Sequence, residues 1–267
     1  MKNFTHYFTV IIIAGLFSSC VTNPYAATNR MYKRQTKELA KIIRVAPAQP
    51  NPKEWVGTTN FGLRKPNYVV IHHTAQNSTA QTLKTFTLPR TQVSAHYVIG
   101  KDGKIYHMLN DYLRAWHGGA AKWGNATDIN SSSIGIELDN NGFEPFAEPQ
   151  LASLLQVLSE LKKDNGIPAA NFIGHSDIAP GRKVDPNANF PWKRLAENGF
   201  GLWPDEVLDS VPETFNPQEA LRIIGYDTKN LDHAISSFKL HFIQHDLSPM
   251  LNEYDKQVLF NLYKKYL

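Results

Sequence analysis

Tyr68-Val69-Val70-Ile71-His72 is a nearly continuous apolar run ending on an imidazole, the pattern of a strand covered on both faces. Such a strand needs neighbours beside it and layers above and below, so this run sets the fold class. Working outward, His96–Ile99 and Lys104–Met108 read as two short strands around Asp102-Gly103, a hairpin signal. Ile134-Gly135-Ile136-Glu137-Leu138 is a fourth strand and Phe172-Ile173-Gly174 a fifth, shorter one. Between these two, Leu151, Leu154, Leu155, Leu158 and Leu161 recur at helical spacing and stop at Gly166 and Pro168, which predicts an amphipathic helix packed on the sheet. Residues 67–204 are therefore expected to form one α/β domain around a central sheet.

Beyond Pro204 the pattern turns helical. Asn216-Pro217 with Glu219 opens a helix that Gly225 closes, and Leu231–Gln244 and Asn252–Tyr266 continue as two more. Residues 205–267 are expected to be a small three-helix domain around Leu221, Ile224, Ile235, Phe238, Phe242, Val258, Leu259 and Leu262.

Upstream, Lys2, an apolar stretch over residues 8–17 and Ser18-Ser19 before Cys20 read as an export signal over residues 1–19. The stretch resembles a bacterial lipoprotein signal, with Phe17 where that motif usually has Leu. This resemblance implies that Cys20 becomes the acylated N-terminal residue. Val21 after the cysteine, with no Asp there, fits an outer-membrane lipoprotein facing the periplasm. Residues 20–66, broken by Pro47, Pro50 and Pro52, read as a tether with a short helix around Thr36–Ile43.

The 267 residues are 42% hydrophobic and 19% charged, with a formal charge of +4, which excludes a disordered tail and a multi-span membrane protein. No basic run interleaves with aromatics, so nucleic acid is not an expected partner. A single cysteine excludes intramolecular disulfides and thiolate-rich metal sites, leaving His and carboxylates to hold any metal. Oligomeric state is unreadable, with monomer as the default.

Of the 10 histidines, six fall between His72 and His175. Three islands there carry the chemistry: VVIHHTA at 69–75, SIGIELDNNG at 133–142 and FIGHSDIAPGRKVDP at 172–186. In this order and separation they resemble the zinc N-acetylmuramoyl-L-alanine amidases of the type 2 family, which are related to peptidoglycan recognition proteins. The likeness covers roughly residues 67–193. It implies a central mixed β-sheet flanked by helices, and hydrolysis of the amide between N-acetylmuramic acid and L-alanine in peptidoglycan.

Adjacent strand residues point to opposite faces, so at most one of His72 and His73 serves a given site, and pattern alone does not choose. The resemblance places one zinc ion on His72, His175 and Asp185. Two imidazoles and a carboxylate with an open fourth position is the arrangement of a catalytic zinc. Glu137 shares a strand face with Gly135, opposite Ile136 and Leu138. The resemblance makes it the general base, and makes Lys183 the group that faces the developing oxyanion. Arg182 is a weaker candidate for clasping a substrate carboxylate. His73, His96, Trp116 and His117 match groove-lining positions, with core packing as the alternative for His96 and Trp116. His241 and His245, at i and i+4, read as a solvated helix surface. The helical tail resembles a peptidoglycan-binding module. A non-catalytic muropeptide-binding protein on the same scaffold is the rival reading, although such relatives typically lack part of the metal set that is complete here.

Overall fold

The computed structural model describes residues 23–44, 58, 60, 62, 63 and 65–267. Cys20 and the export signal lie outside them. The chain divides after Asn60 into two compact units, of which Phe61–Leu267 is the larger. In the N-terminal unit, α1 spans Ala26–Arg44, with none of its residues buried. The expected Thr36–Ile43 helix thus extends well upstream.

The larger unit is built on a five-stranded sheet of order β3-β2-β4-β1-β5, from β1 (Tyr68–His73), β2 (Tyr97–Ile99), β3 (Ile105–His107), β4 (Ser133–Leu138) and β5 (Phe172–Gly174). β1 runs parallel to β4 and β5, β2 parallel to β4, and β3 antiparallel to β2, so the sheet is mixed as expected. The β2–β3 hairpin turns at Asp102-Gly103. Gly103 sits at φ +81° and a Cβ there would lie 2.7 Å from the Pro149 carbonyl, so the turn requires glycine.

One face of the sheet is covered by α3 (Glu148–Asn165), which begins at Pro149 in its first turn and ends on Gly166 at φ 71°. Its Leu151, Leu154, Val157, Leu158 and Leu161 bury against Val69, Ile71, Ile134, Ile136 and Leu138. Each such side chain contributes roughly 1.5–3 kcal/mol relative to exposure. α2 (Thr79–Thr87), capped by Ser78, and α5 (Trp192–Glu197) carry no regular apolar stripe and were not anticipated.

The other face carries Val70, His72, Gly135 and Glu137, paired in register as Val70 with Gly135 and His72 with Glu137. At its β5 end it is covered by the predicted tail helices α6 (Pro217–Ile224), α7 (Leu231–Phe242) and α8 (Glu253–Tyr266), capped by Asn216, Asn230 and Asn252. All eight predicted tail core residues are buried there, in one apolar cluster with Val70, Ile129, Ile173 and Ile178. The expected boundary after residue 204 therefore falls inside a continuous core, and sheet and tail helices form one compact unit.

Candidate active site

Strand alternation aims His72 at the face opposite α3. His73, on the α3 side, ends the strand. Its Nδ1 accepts the Asn187 N–H at 3.1 Å and its ring borders the groove described below. His175 opens a one-turn helix, α4 (His175–Ile178). The turn forms because the Asp177 carboxylate accepts the Gly174 N–H at 2.7 Å. The Ser176 N–H donates to the Asp185 carbonyl at 2.8 Å, folding the chain back so that Asp185 faces the same point.

His72 Nδ1, His175 Nδ1 and Asp185 Oδ2 converge, at 2.9, 3.1 and 3.0 Å from one another. The surrounding bonds decide where the protons are. Ser133 Oγ donates to the Ile129 carbonyl at 2.6 Å, so it accepts from His117 Nε2 at 3.1 Å. His117 Nδ1 must then accept from His72 Nε2 at 3.1 Å. His175 Nε2 donates to the Gly118 carbonyl at 3.1 Å. Both imidazoles therefore turn a bare Nδ1 lone pair towards the carboxylate, leaving three acceptors with no hydrogen among them. A cation suits such a donor set, and two imidazoles with one carboxylate are the ligand types of a zinc site with an open position.

Burial and the neighbouring His175 push His72 down to about 4, and burial with His72 and His96 nearby holds His117 well below its ordinary range. Neutral imidazoles are the state this network requires. Beside them, burial and then the Asp185 charge push Glu137 up to about 8, with Lys183 opposing. Glu137 Oε2 is buried and has no hydrogen-bond partner. A carboxylate that lines the groove with one oxygen shielded and bare is costly and is a candidate proton-handling group.

The convergence point lies at the floor of a groove of about 400 Å³ walled by Thr74, Gln76, Phe86, Val93, Trp116 and Lys183. Trp116 is half exposed on that wall. His117 is buried beneath His72, so it supports the convergent set more than it lines the groove.

One expectation about the groove is corrected. His96 is fully buried, donating from Nε2 to the Leu113 carbonyl and accepting the Gly135 N–H at Nδ1, so it is a core residue outside the groove. Arg182 borders the groove, and its Nη2 donates to the carbonyls of Gly118 and Ala120 at 2.7 and 2.8 Å, where it fixes the loop that also receives His175.

A second correction is His241, which is no surface residue. It lies buried between Trp192 and Phe242, and its Nδ1 donates to Asp177 at 2.7 Å. The Tyr226 hydroxyl donates to the same carboxylate at 2.8 Å. The tail helices thus hold the turn that presents His175. Only the apolar neighbours Phe238 and Phe242 hinted that this helix face is buried.

A sequence-family profile described as N-acetylmuramoyl-L-alanine amidase matches residues 62–188, the stretch holding His72, Glu137, His175, Lys183 and Asp185. The chain is 33% identical over 207 residues to the N-acetylmuramoyl-L-alanine amidase AmiD of Escherichia coli, covering 65% of this chain and 74% of that protein. It is 36% identical over 104 residues to the 1,6-anhydro-N-acetylmuramyl-L-alanine amidase AmpD of Haemophilus influenzae, 39% of this chain and 56% of that one. Among solved structures, E. coli AmiD in complex with the substrate anhydro-N-acetylmuramic acid-L-Ala-D-gamma-Glu-L-Lys superimposes with a TM-score of 0.70, at 28% identity over 79% of this chain and 93% of that one. AmpDh3 of Pseudomonas aeruginosa gives 0.70 at 27% identity, over 82% and 99%. The likeness extends through the tail helices as well as the islands around the convergent groups, and on that breadth the chain belongs to the N-acetylmuramoyl-L-alanine amidase family.

Proposed function

We propose that the protein is a zinc-dependent hydrolase of the cell envelope that cuts the amide between the lactyl group of N-acetylmuramic acid and L-alanine in peptidoglycan. The observation that carries this reading is the set of three proton-free acceptors on His72, His175 and Asp185 beside the unpartnered Glu137 carboxylate. When bound there, zinc supplies Lewis-acid polarisation of the scissile carbonyl and lowers the pKa of water. Glu137 takes a proton from the attacking water as its oxygen bonds to the carbonyl carbon. The same residue returns that proton to the nitrogen as the C–N bond breaks, releasing a carboxylic acid and an amine. Lys183 faces the negative charge that develops on the carbonyl oxygen. His117 keeps His72 in the tautomer that offers Nδ1. Trp116 and His73 border the space for the muropeptide.

Chelation is expected to abolish release of stem peptides from purified wall, and added zinc to restore it. Mass analysis should show glycan and peptide separated at the lactyl amide. Full activity after exhaustive chelation overturns the metal mechanism, and uncut muropeptides at full zinc occupancy make the protein a binder.

The same proposal extends to place. Residues 1–19 direct export, Cys20 is acylated, and 20–66 tether a monomeric chain to the periplasmic side of the outer membrane. Residues 67–204 cut the wall and 205–267 assist its binding. Labelling cells with a clickable fatty acid tests this: label on the wild-type protein and none on Cys20→Ser is expected, and recovery in the soluble periplasm refutes the anchor.

A further inference from the structure

α1 is unlike every other α-helix among the described residues, because no residue of its 19 is buried. Its sequence nevertheless separates the cations from most of the apolar residues around the axis, with Thr28 and Gln35 sharing the apolar side. At about 100° per residue, Arg30, Lys33, Arg34, Lys37, Lys41 and Arg44 fall within one arc of about 100°. Met31, Tyr32, Leu39, Ile42 and Ile43 fall within another arc of about 120°, centred roughly opposite. Met31, Leu39, Ile42 and Ile43 are 50%, 44%, 69% and 78% exposed. Glu38 is the single acidic residue in the helix.

A surface helix that packs on a protein core shows an apolar stripe and a back of both signs. Here the polar back is almost purely cationic. A stripe of exposed Leu and Ile backed by six cations on the other face is complementary to a bilayer with acidic headgroups: the apolar face enters the headgroup boundary while the cations are attracted by the anionic surface. We infer that α1 is an interfacial helix that lies along an anionic phospholipid surface. The inference stands on the helix itself and gains its setting from the proposed anchor at Cys20. If α1 lies flat, it occupies about 29 Å of membrane surface. Only residues 45–66 then stand off from the bilayer, reaching at most about 70 Å when fully extended.

The test uses the chain from residue 20 onward, zinc-loaded and carrying Cys20→Ser so that no acyl chain contributes. It is sedimented with vesicles of phosphatidylethanolamine and phosphatidylglycerol, and with vesicles of phosphatidylcholine alone. Binding to the first, weak binding to the second and loss in high salt are expected. Lys33→Gln, Lys37→Gln and Lys41→Gln together keep helix propensity and should weaken partitioning roughly 100-fold, at about 1 kcal/mol per cation. Leu39→Ser with Ile42→Ser should also release the chain. Both variants are expected to release stem peptides in solution as wild type does, which separates failure of this inference from failure of the amidase reading. Equal binding to both vesicle types, unchanged partitioning of the Gln variant, or concentration-dependent dimers in place of vesicle binding would overturn it.

Discussion

Substituting Glu137 by Gln separates the proton transfer proposed for this carboxylate from the cost that its surroundings place on its charge. The amide keeps the shape of the side chain while removing both its basicity and its charge. Its Cα lies opposite His72 in the β1–β4 register, so a neutral isostere leaves the convergent groups in place. Turnover is expected to fall by roughly 10²–10⁴ with zinc still bound, the range for loss of a positioned proton acceptor. Stability should move the other way in metal-free protein. Glu137 is pushed from an ordinary 4.5 up to about 8, chiefly by burial, so between these pH values the folded chain holds a proton that the unfolded chain has lost. The Glu137 contribution to stability therefore declines as pH rises through this window, against the rise that the buried histidines supply below about pH 6.5. By pH 9 the full cost is present, with an upper bound of about 5 kcal/mol at 1.36 kcal/mol per pH unit. Glu137→Gln removes that cost and should unfold in urea at a higher midpoint than wild type at pH 9, with little difference at pH 4. Urea titrations of both metal-free proteins, paired with muropeptide kinetics at measured zinc occupancy, read the two effects. Near wild-type turnover would make Glu137 a bystander, and coincident urea curves at pH 9 would show that the site does not penalise its charge.

Gly135→Ala places a Cβ 2.4 Å from His117 Cγ, so His117 must move off His72. Zinc affinity in a chelator competition should weaken roughly 10- to 100-fold, and unchanged affinity would deny His117 its supporting role. His241→Leu leaves Asp177 short of a buried donor. A loss of roughly 1–3 kcal/mol by urea titration is expected, partly recovered by His241→Asn, with the Leu variant also releasing zinc faster. Burial, in each case the largest cause, lowers His72, His73, His96 and His117 in the folded chain. The unfolded chain then binds more protons below about pH 6.5, so metal-free protein should lose stability as pH falls from there towards 4. A urea midpoint that is flat over that range would contradict their burial as neutral groups.

The strands and the long helix were readable in the sequence because each obeys a local period. Two-residue alternation placed Gly135 and Glu137 on one strand face, and the Leu151–Leu161 stripe marked α3 as a helix packed on the sheet. The three islands marked His72, Glu137, His175, Lys183 and Asp185 because an unusual string of residue types survives in one dimension. Tertiary structure decided what depends on groups distant in the chain. Whether His72 offers Nδ1 or Nε2 is set by Ser133 and Ile129 through His117, a relay with no sequence period. That Arg182 also ties down the loop of Gly118 and Ala120, through carbonyls within 2.8 Å of its Nη2, has no sign in the sequence. His241 counted as surface by spacing, yet α7 delivers it to Asp177, 64 residues earlier. Local patterning encodes which face a side chain takes, and only the folded chain brings the partners that fix its protonation, its tautomer and its task.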